Sequence, residues 1–251
     1  MTISTLRRLR IAILEADYPQ PLTASKYGSY GGVFVKLLAA GAKELDIPVG
    51  DLTITTWDVQ REIYPCLEDV DAVLITGSRA NAFDNTPWIV KLMEFTRKIL
   101  EEQSRVRVIG VCFGHQIIGR ALEANIVRNI DGWEASVTPV HLSSRGQELF
   151  DGKYVLNIHQ MHRDVIVRVP EGTENLGSTH LCQVQGLYAQ KRLISLQGHP
   201  EFTSDIAREI LEIRKKNGII THAMFTEMIR KVDDKHDGVI VACAFLNFLR
   251  E

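Results

Sequence analysis

The sequence predicts an α/β fold in which an open, mostly parallel sheet lies between layers of flanking helices. Short apolar runs rich in β-branched residues alternate with longer runs whose apolar residues recur at helical spacing. This alternation occurs three times in the first half of the chain, which favours parallel strands joined by helices. The composition, 45% hydrophobic and 24% charged among 251 residues, is that of a globular protein with one sizeable core.

The first half of the chain contains the clearest strands and helices. The predicted strands are residues 10–14, 52–57, 72–75 and 106–111. The predicted helices are residues 32–45, 88–102 and 114–122. The run at 72–75 is apolar throughout and ends at Thr76-Gly77-Ser78, as expected of a buried parallel strand that reaches a functional turn.

The second half is richer in short extended segments separated by glycine, proline and asparagine. These segments are residues 136–142, 154–159, 165–169, 187–189 and 193–197, and predicted helices follow at 203–216 and 239–249. Because no repeat or linker-like change in composition interrupts the chain, we expect a single domain over residues 1–251. Its core covers about residues 9–205, and C-terminal helices within 203–251 complete it.

Composition and charge exclude several classes of function. The formal net charge of −2 gives no bulk electrostatic reason to expect nucleic acid or an anionic membrane as a partner. The basic start of the chain precedes only four apolar residues, Ile11 to Leu14, whereas a secretory core needs about 7–15. No run approaches the roughly 20 apolar residues of a membrane-spanning helix. The four cysteines lack zinc-like spacing, so we expect a reduced, cytoplasmic protein.

The segment around Cys112 is typical of a nucleophile. It reads G-x-C-x-G, with Cys112 between Gly110 and Gly114 where a buried strand gives way to a helix. Such a turn holds the nucleophile in strained backbone geometry, and the glycines let neighbouring segments approach it. The helix N-terminus favours a thiolate, and the N–H of Phe113 is expected to point to a developing oxyanion. A small-residue strand end with a packed cysteine is the alternative.

A thiol nucleophile requires a base that activates it and then protonates the leaving amine. Of the eight histidines, His199 has suitable context, because it follows the apolar run 193–196 and lies in Gly-His-Pro-Glu. Pro200 stiffens the backbone, and Glu201 can orient the imidazole as the acid of a triad. The alternative is a helix N-terminus at which Glu201 is a solvated acid of the first turn.

The two segments together resemble the class I, or triad, glutamine amidotransferases. The sequence GVCFGHQ is followed by QGHPE, with 87 residues from cysteine to histidine. The resemblance implies a flavodoxin-like fold, with Cys112 as nucleophile, His199 as base and Glu201 as the acid that orients it. It runs from the first predicted strand past Glu201 and is weakest in the last 40 residues. Residues 17–28 are similar to stand-alone fungal and plant members.

Further matches imply residues that bind the substrate. The stretch from Ile75 to Trp88 resembles the oxyanion loop of GMP-synthase-like members, in which Gly77 supplies an N–H and Arg79 lies close by through its backbone. Gln116 matches the family glutamine that helps to hold the amino-acid end of the substrate. Residues 161–164 resemble a loop whose backbone contacts substrate, which adds three candidates, Met161, His162 and Asp164.

Several other polar residues are interpreted as structural. His115 is expected to pack at the helix start, and the spacing of His159 and His162 does not suit a metal pair in a strand followed by a loop. Asp164 either orients its loop, as a cap, or meets a substrate amine. The basic run 214–216 is expected to be a solvated helix end. No nucleotide-binding glycine pattern follows the first strand, and we expect neither a cofactor nor a metal.

The resemblance implies an amidase that acts on a small-molecule substrate, either glutamine or another γ-glutamyl compound. Many relatives pass the released ammonia to a synthase, yet almost every residue of this chain is used by the amidase fold. Either a separate synthase subunit accepts the ammonia, or the protein is a γ-glutamyl peptide hydrolase that releases another amine. A third alternative is a non-catalytic binding or regulatory member of the fold, although all three triad residues are present.

Overall fold

A seven-stranded sheet lies at the centre of the structure, a computed structural model that describes residues 8–102 and 105–251. Across the sheet the strands are β2 (Leu52–Asp58), β1 (Leu9–Glu15), β3 (Ala72–Ile75), β4 (Arg107–Val111), β12 (Leu193–Leu196), β11 (Gly186–Ala189) and β9 (Glu174–Asn175). The first five of these pair in parallel, whereas β11 pairs antiparallel with both of its neighbours. The predicted α/β class with a mostly parallel sheet is confirmed.

Helices cover both faces of the central sheet. The α-helices of the described residues are α1 (Pro21–Tyr27), α2 (Tyr30–Glu44), α3 (Pro87–Glu102), α4 (Phe113–Ala121), α5 (Ser144–Leu149), α6 (Ser204–Lys216), α7 (His222–Ile229) and α8 (Gly238–Arg250). Alternate residues of β1 point to opposite faces. Ile11 and Ile13 pack with α2 and α8, whereas Ala12 and Leu14 pack with α3 and α4. This alternation produces the three layers.

The second half of the chain adds two small antiparallel sheets beside the main one. A three-stranded sheet has the order β10 (Gly177–Ser178), β6 (Glu134–Leu142) and β7 (Val155–His162), and β5 (Ile126–Arg128) pairs with β8 (Asp164–Ile166). Residues 161 and 162, expected in a loop, instead lie in β7. The reason is that the β6–β7 ladder continues to its last pair, Glu134 with His162.

The remaining differences from prediction concern short elements. Helices α1, α5 and α7 and strands β5, β9 and β10 were not predicted, because segments of two to eight residues are too short to show a clear period. The strand expected at 165–169 spans Asp164–Ile166 instead. Residues 1–7, the first part of the basic segment that precedes β1, lie outside the described residues. No described helix has the length and apolar character needed to span a bilayer.

Candidate active site

Cys112 occupies a sharp turn between β4 and α4. Its backbone has φ +52° and ψ −104°, a conformation that costs energy for any residue with a side chain. The Cys112 N–H donates to the carbonyl oxygen of Leu196 at 2.8 Å, so the turn is anchored to neighbouring β12. A Cβ on Gly114 would lie 2.3 Å from the Ile75 carbonyl oxygen, which shows how closely α4 approaches β3. The sulfur is therefore held at the carboxyl ends of the parallel strands, where sites in open α/β sheets form.

His199 lies three residues beyond β12 and is fixed from three directions. Its N–H donates to the His159 carbonyl oxygen at 2.7 Å. Its Nδ1 lies 2.8 Å from Glu201 Oε1, and its ring stacks on Phe202 with centroids 4.0 Å apart. Because Glu201 is only 5% exposed and α6 begins at Ser204, the interpretation of Glu201 as a solvated first-turn acid is wrong.

The electrostatics of this pair depend on two opposing effects. Burial lowers the pKa of His199, but the nearby Cys112 sulfur and the Glu201 carboxylate raise it by more, and the resulting pKa is about 10. At neutral pH the ring is therefore an imidazolium beside the sulfur. Cys112, His199 and Glu201 are 4–6% exposed, so solvent screens the charges of His199 and Glu201 weakly.

Gly77, in the loop after β3, completes the surroundings of the sulfur. A Cβ at Gly77 would lie 2.8 Å from His199 Cε1 and 3.7 Å from Cys112 Cβ, so only glycine fits without displacing the ring. The Phe113 N–H belongs to the first residue of α4 and has no acceptor within that helix. Among the residues that the structure describes, neither the Gly77 N–H nor the Phe113 N–H has a hydrogen-bond partner.

Arg79 does not present its backbone to the reacting centre as expected. Its N–H donates to Asp17 Oδ2 at 2.7 Å. Its guanidinium makes two further bonds to the same carboxylate, at 2.8 Å from Nε and 2.7 Å from Nη2. The expectation for Arg79 is corrected accordingly: both its backbone and side chain anchor the loop to Asp17, which follows β1.

Gln116 and Asp164 form another part of the cavity lining. Gln116 Nε2 donates to the Asp164 carbonyl oxygen at 2.9 Å and to Gln197 Oε1 at 3.0 Å. The Asp164 carboxylate forms an ion pair with Arg128. Asp164 is thus held at its backbone and at its side chain, which ties β8 to α4.

These elements enclose a cavity of about 290 Å³. Nine of the ten predicted site residues line it, namely Cys112, His199, Glu201, Gly77, Arg79, Gln116, Met161, His162 and Asp164. The tenth, Phe113, packs its ring against Trp88 with centroids 5.6 Å apart, so that only its backbone is near the sulfur.

Two other histidines lie away from the cavity lining. His115 Nδ1 is 2.8 Å from Ser195 Oγ, and burial lowers the pKa of His115 to about 3. The His159 ring lies 5.0 Å from that of His236, and burial lowers the pKa of His159 to about 3 as well. His159 and His162 are three residues apart in β7 and therefore point to opposite faces.

A buried polar cluster lies behind His162. His162 Nε2 is 2.9 Å from Glu134 Oε2, and Glu134 also accepts from Thr179 Oγ1 at 2.5 Å and Gln185 Nε2 at 2.8 Å. The possible ligand atoms of Glu134, His162 and Cys182 lie within 4.8 Å of one another, close enough to suit a metal ion. Burial raises the pKa of Cys182 to about 12, however, and the carboxylate is already engaged by hydrogen bonds. Hydrogen bonding therefore accounts for this cluster.

Arg214 is the principal lining residue that the sequence interpretation missed. The run 214–216 was expected to be solvated, and Lys215 and Lys216 are exposed, but Arg214 turns into the cavity. Its guanidinium lies 4.2 Å from the Trp133 ring centroid. The available signal was its position on α6, four residues after buried Ile210.

Comparison with known proteins identifies the family. The profile of the glutamine amidotransferase class I family matches residues 29–214, and the chain belongs to this family. It is 36% identical over 246 residues to a glutamine amidotransferase-like protein of Schizosaccharomyces pombe, with 96% of this chain and 98% of that protein covered.

A plant relative and a solved structure complete the comparison. The chain is 28% identical over 212 residues to gamma-glutamyl peptidase 3 of Arabidopsis thaliana, with 82% of each chain covered. A glutamine amidotransferase of known crystal structure, from Thermotoga maritima, superposes with a TM-score of 0.74 at 15% identity. That superposition covers 98% of this chain and 100% of the other. It confirms the predicted flavodoxin-like fold.

Proposed function

We propose that the protein hydrolyses the γ-amide bond of glutamine or of another γ-glutamyl compound, with Cys112 as the nucleophile. The observation that carries this proposal is the arrangement at the cavity floor. A cysteine on a strained turn, a histidine of raised pKa and two backbone N–H groups without a partner among the described residues meet there. These are the parts that acyl transfer through a thiol requires.

The proposed reaction has two steps. The Cys112 thiolate attacks the γ-carbonyl carbon, and the N–H groups of Gly77 and Phe113 stabilise the oxyanion. The His199 imidazolium gives its proton to the leaving nitrogen, the C–N bond breaks, and a γ-glutamyl thioester remains. Water then loses a proton to His199 and attacks the thioester, and glutamate and the thiolate are released. Glu201 holds the ring in the productive orientation throughout.

The leaving amine separates two versions of this function. If it is ammonia, a separate synthase subunit is the expected acceptor. If it is an amino acid or a peptide, the protein is a γ-glutamyl peptidase and needs no acceptor. Relatives in Arabidopsis that bear the name gamma-glutamyl peptidase support the second version.

The test is a screen of the purified protein against glutamine and a panel of γ-glutamyl dipeptides. Released glutamate is measured, and the acyl-enzyme is trapped by acid quenching and located by mass spectrometry. We expect the γ-glutamyl adduct on the peptide that contains Cys112 and no adduct in Cys112→Ala. Binding of these compounds without turnover by the wild-type protein would instead identify a non-catalytic member of the fold.

A further inference from the structure

Arg214 lies in the cavity wall, and no carboxylate among the described residues forms an ion pair with it. It lies in the last turn of α6 and lines the same cavity as Cys112. Its guanidinium is stacked over the Trp133 ring, which fixes its position. Nη1 is shielded from solvent and has no hydrogen-bond acceptor within residues 8–102 and 105–251.

Two other arginines of the cavity lining are paired with carboxylates. Arg79 is paired with Asp17, and Arg128 is paired with Asp164. Arg163 donates from Nε to the Asn129 carbonyl oxygen at 3.1 Å. Arg214 differs from these three because its buried Nη1 has no acceptor among the described residues.

The carboxylates of the lining cannot neutralise Arg214, because each already has a partner. Asp17 and Asp164 are bound to arginines, and Glu201 is bound to His199. Burial lowers the pKa of Arg214 to about 10, while the Cys112 sulfur opposes this change, and the guanidinium stays charged at neutral pH. Arg214 is half-buried and its Nη1 lacks an acceptor among the described residues, so an anionic group that reaches the guanidinium through the cavity would bind favourably.

We propose that Arg214 binds the carboxylate of the leaving amine, so that the preferred substrates are γ-glutamyl amino acids or peptides with a free C-terminal carboxylate. This inference rests on the proposed function. The γ-glutamyl group brings one ammonium and one carboxylate of its own, which cancel, and ammonia as a leaving group brings no charge. A γ-glutamyl amino acid brings one further negative charge, for which the Arg214 guanidinium in the cavity wall is a suitable partner.

Binding to the Cys112→Ala protein tests the assignment without turnover. Titration calorimetry compares γ-glutamyl-alanine with its C-terminal amide, which lacks only the charge. We expect the free acid to bind at least about tenfold more tightly. Arg214→Met in the same background should remove this preference and leave the affinity for the amide within about twofold, whereas Arg214→Lys should retain part of the preference. Affinity for the amide also reports that the cavity of each variant is folded.

Arg208→Met is the matched control, because Arg208 lies on the exposed side of α6 and pairs with Asp233. This variant should keep the full preference for the acid. The assignment is wrong if neither compound binds, if Arg214→Met keeps the preference, or if it weakens acid and amide equally. Equal weakening would indicate that Arg214 contacts the γ-glutamyl group.

Turnover separates this inference from the proposed function. A wild-type protein that prefers the acid in binding but hydrolyses neither compound contradicts the proposed function and leaves the role of Arg214 intact. A wild-type protein that hydrolyses glutamine and both dipeptides with equal kcat/KM contradicts the role of Arg214 alone. In the expected case, Arg214→Met raises KM for the acid about tenfold with little change in kcat, as loss of uniform binding does.

Discussion

Two buried histidine–carboxylate pairs each place their histidine in the lining of the same cavity, and they differ in what surrounds them. His199 Nδ1 is 2.8 Å from Glu201, and His162 Nε2 is 2.9 Å from Glu134. The second nitrogen of His162 lies 3.2 Å from the Asp164 carbonyl oxygen. The second nitrogen of His199 is left for the Cys112 sulfur. The two histidine–carboxylate distances are therefore nearly equal, but only His199 keeps a ring nitrogen that is available for chemistry.

The carboxylates differ in the same way. Glu134 accepts hydrogen bonds from Thr179 and Gln185 as well as from His162, so it joins β6 and β7 to the chain before β11. Glu201 Oε1 bonds to His199, and Oε2 is buried without a partner in the described ranges. The hydrogen bonds of Glu134 cross-link several strands, whereas the hydrogen bond of Glu201 orients the His199 ring. The surroundings of a histidine–carboxylate pair, more than its distance, separate a structural pair from a candidate catalytic one.

Removal of the sulfur should produce the largest effect. We expect Cys112→Ala to lower turnover of γ-glutamyl substrates at least about 1,000-fold, because no other group replaces the nucleophile. Cys66→Ala, which removes an exposed thiol, is the control and should retain full activity. Steady-state release of glutamate measures both. Substantial turnover by Cys112→Ala would mean that the sulfur beside His199 is not required, and the His199–Glu201 pair would then have no chemical role that sets it apart from His162–Glu134.

Neutralising each carboxylate in turn should give opposite results. Glu201→Gln is expected to lower kcat about 10- to 100-fold, less than the loss of the nucleophile, because Glu201 orients and stabilises the ring without reacting itself. Glu134→Gln should keep kcat within about threefold. Its amide group would meet hydrogen-bond donors, so the free energy of unfolding should fall by about 1–3 kcal/mol.

Steady-state kinetics and urea unfolding of Glu201→Gln and Glu134→Gln measure these effects on kcat and on stability. A Glu134→Gln protein of unchanged stability that loses as much activity as Glu201→Gln would show that both pairs serve catalysis.

The main strands and the turn at Cys112 could be predicted from the sequence because their signals are local. Strand β3 is apolar over its whole length. The glycines that allow close packing at the turn, Gly110 and Gly114, lie within two residues of Cys112. The pairing of Glu134 with His162 could not be predicted, because it joins residues 28 apart through a strand register that extends beyond the apolar pattern.

The basic run at the end of α6 led to a wrong expectation for Arg214. Lys215 and Lys216 make the end of the helix look solvated, and Arg214 belongs by sequence to the same basic run. The Arg214 guanidinium contacts the Trp133 ring, which comes from a distant part of the chain. The local signal was limited to the position of Arg214 four residues after buried Ile210.

A methyl group at the oxyanion loop should have a smaller effect than loss of Glu201. A Cβ at Gly77 would come within 2.8 Å of His199 Cε1, so Gly77→Ala should displace the ring and lower kcat about tenfold. Gly50→Ala is the matched control, since a Cβ there meets no heavy atom within 4 Å. Stopped-flow acylation rates for both variants measure the effect. A Gly77→Ala protein with wild-type rates would mean that the ring position matters less than the pairing with Glu201.

The pH dependence gives the smallest expected change. The pKa of His199 is about 10 in the folded protein, against about 6.5 for an unperturbed histidine, because Cys112 and Glu201 favour the charged ring despite burial. The imidazolium that protonates the leaving amine is therefore lost only as the pH rises through about 10, and kcat/KM should fall there.

Glu201→Gln removes one of the two charges that raise the pKa of His199, so the alkaline limb of the kcat/KM profile should move to lower pH by about one unit. Glu134→Gln should leave the limb unchanged, because Glu134 faces the other pair. Profiles of kcat/KM measured for the three proteins with γ-glutamyl-alanine make this test, and an equal shift in both variants would contradict the assignment of the titrating group to His199.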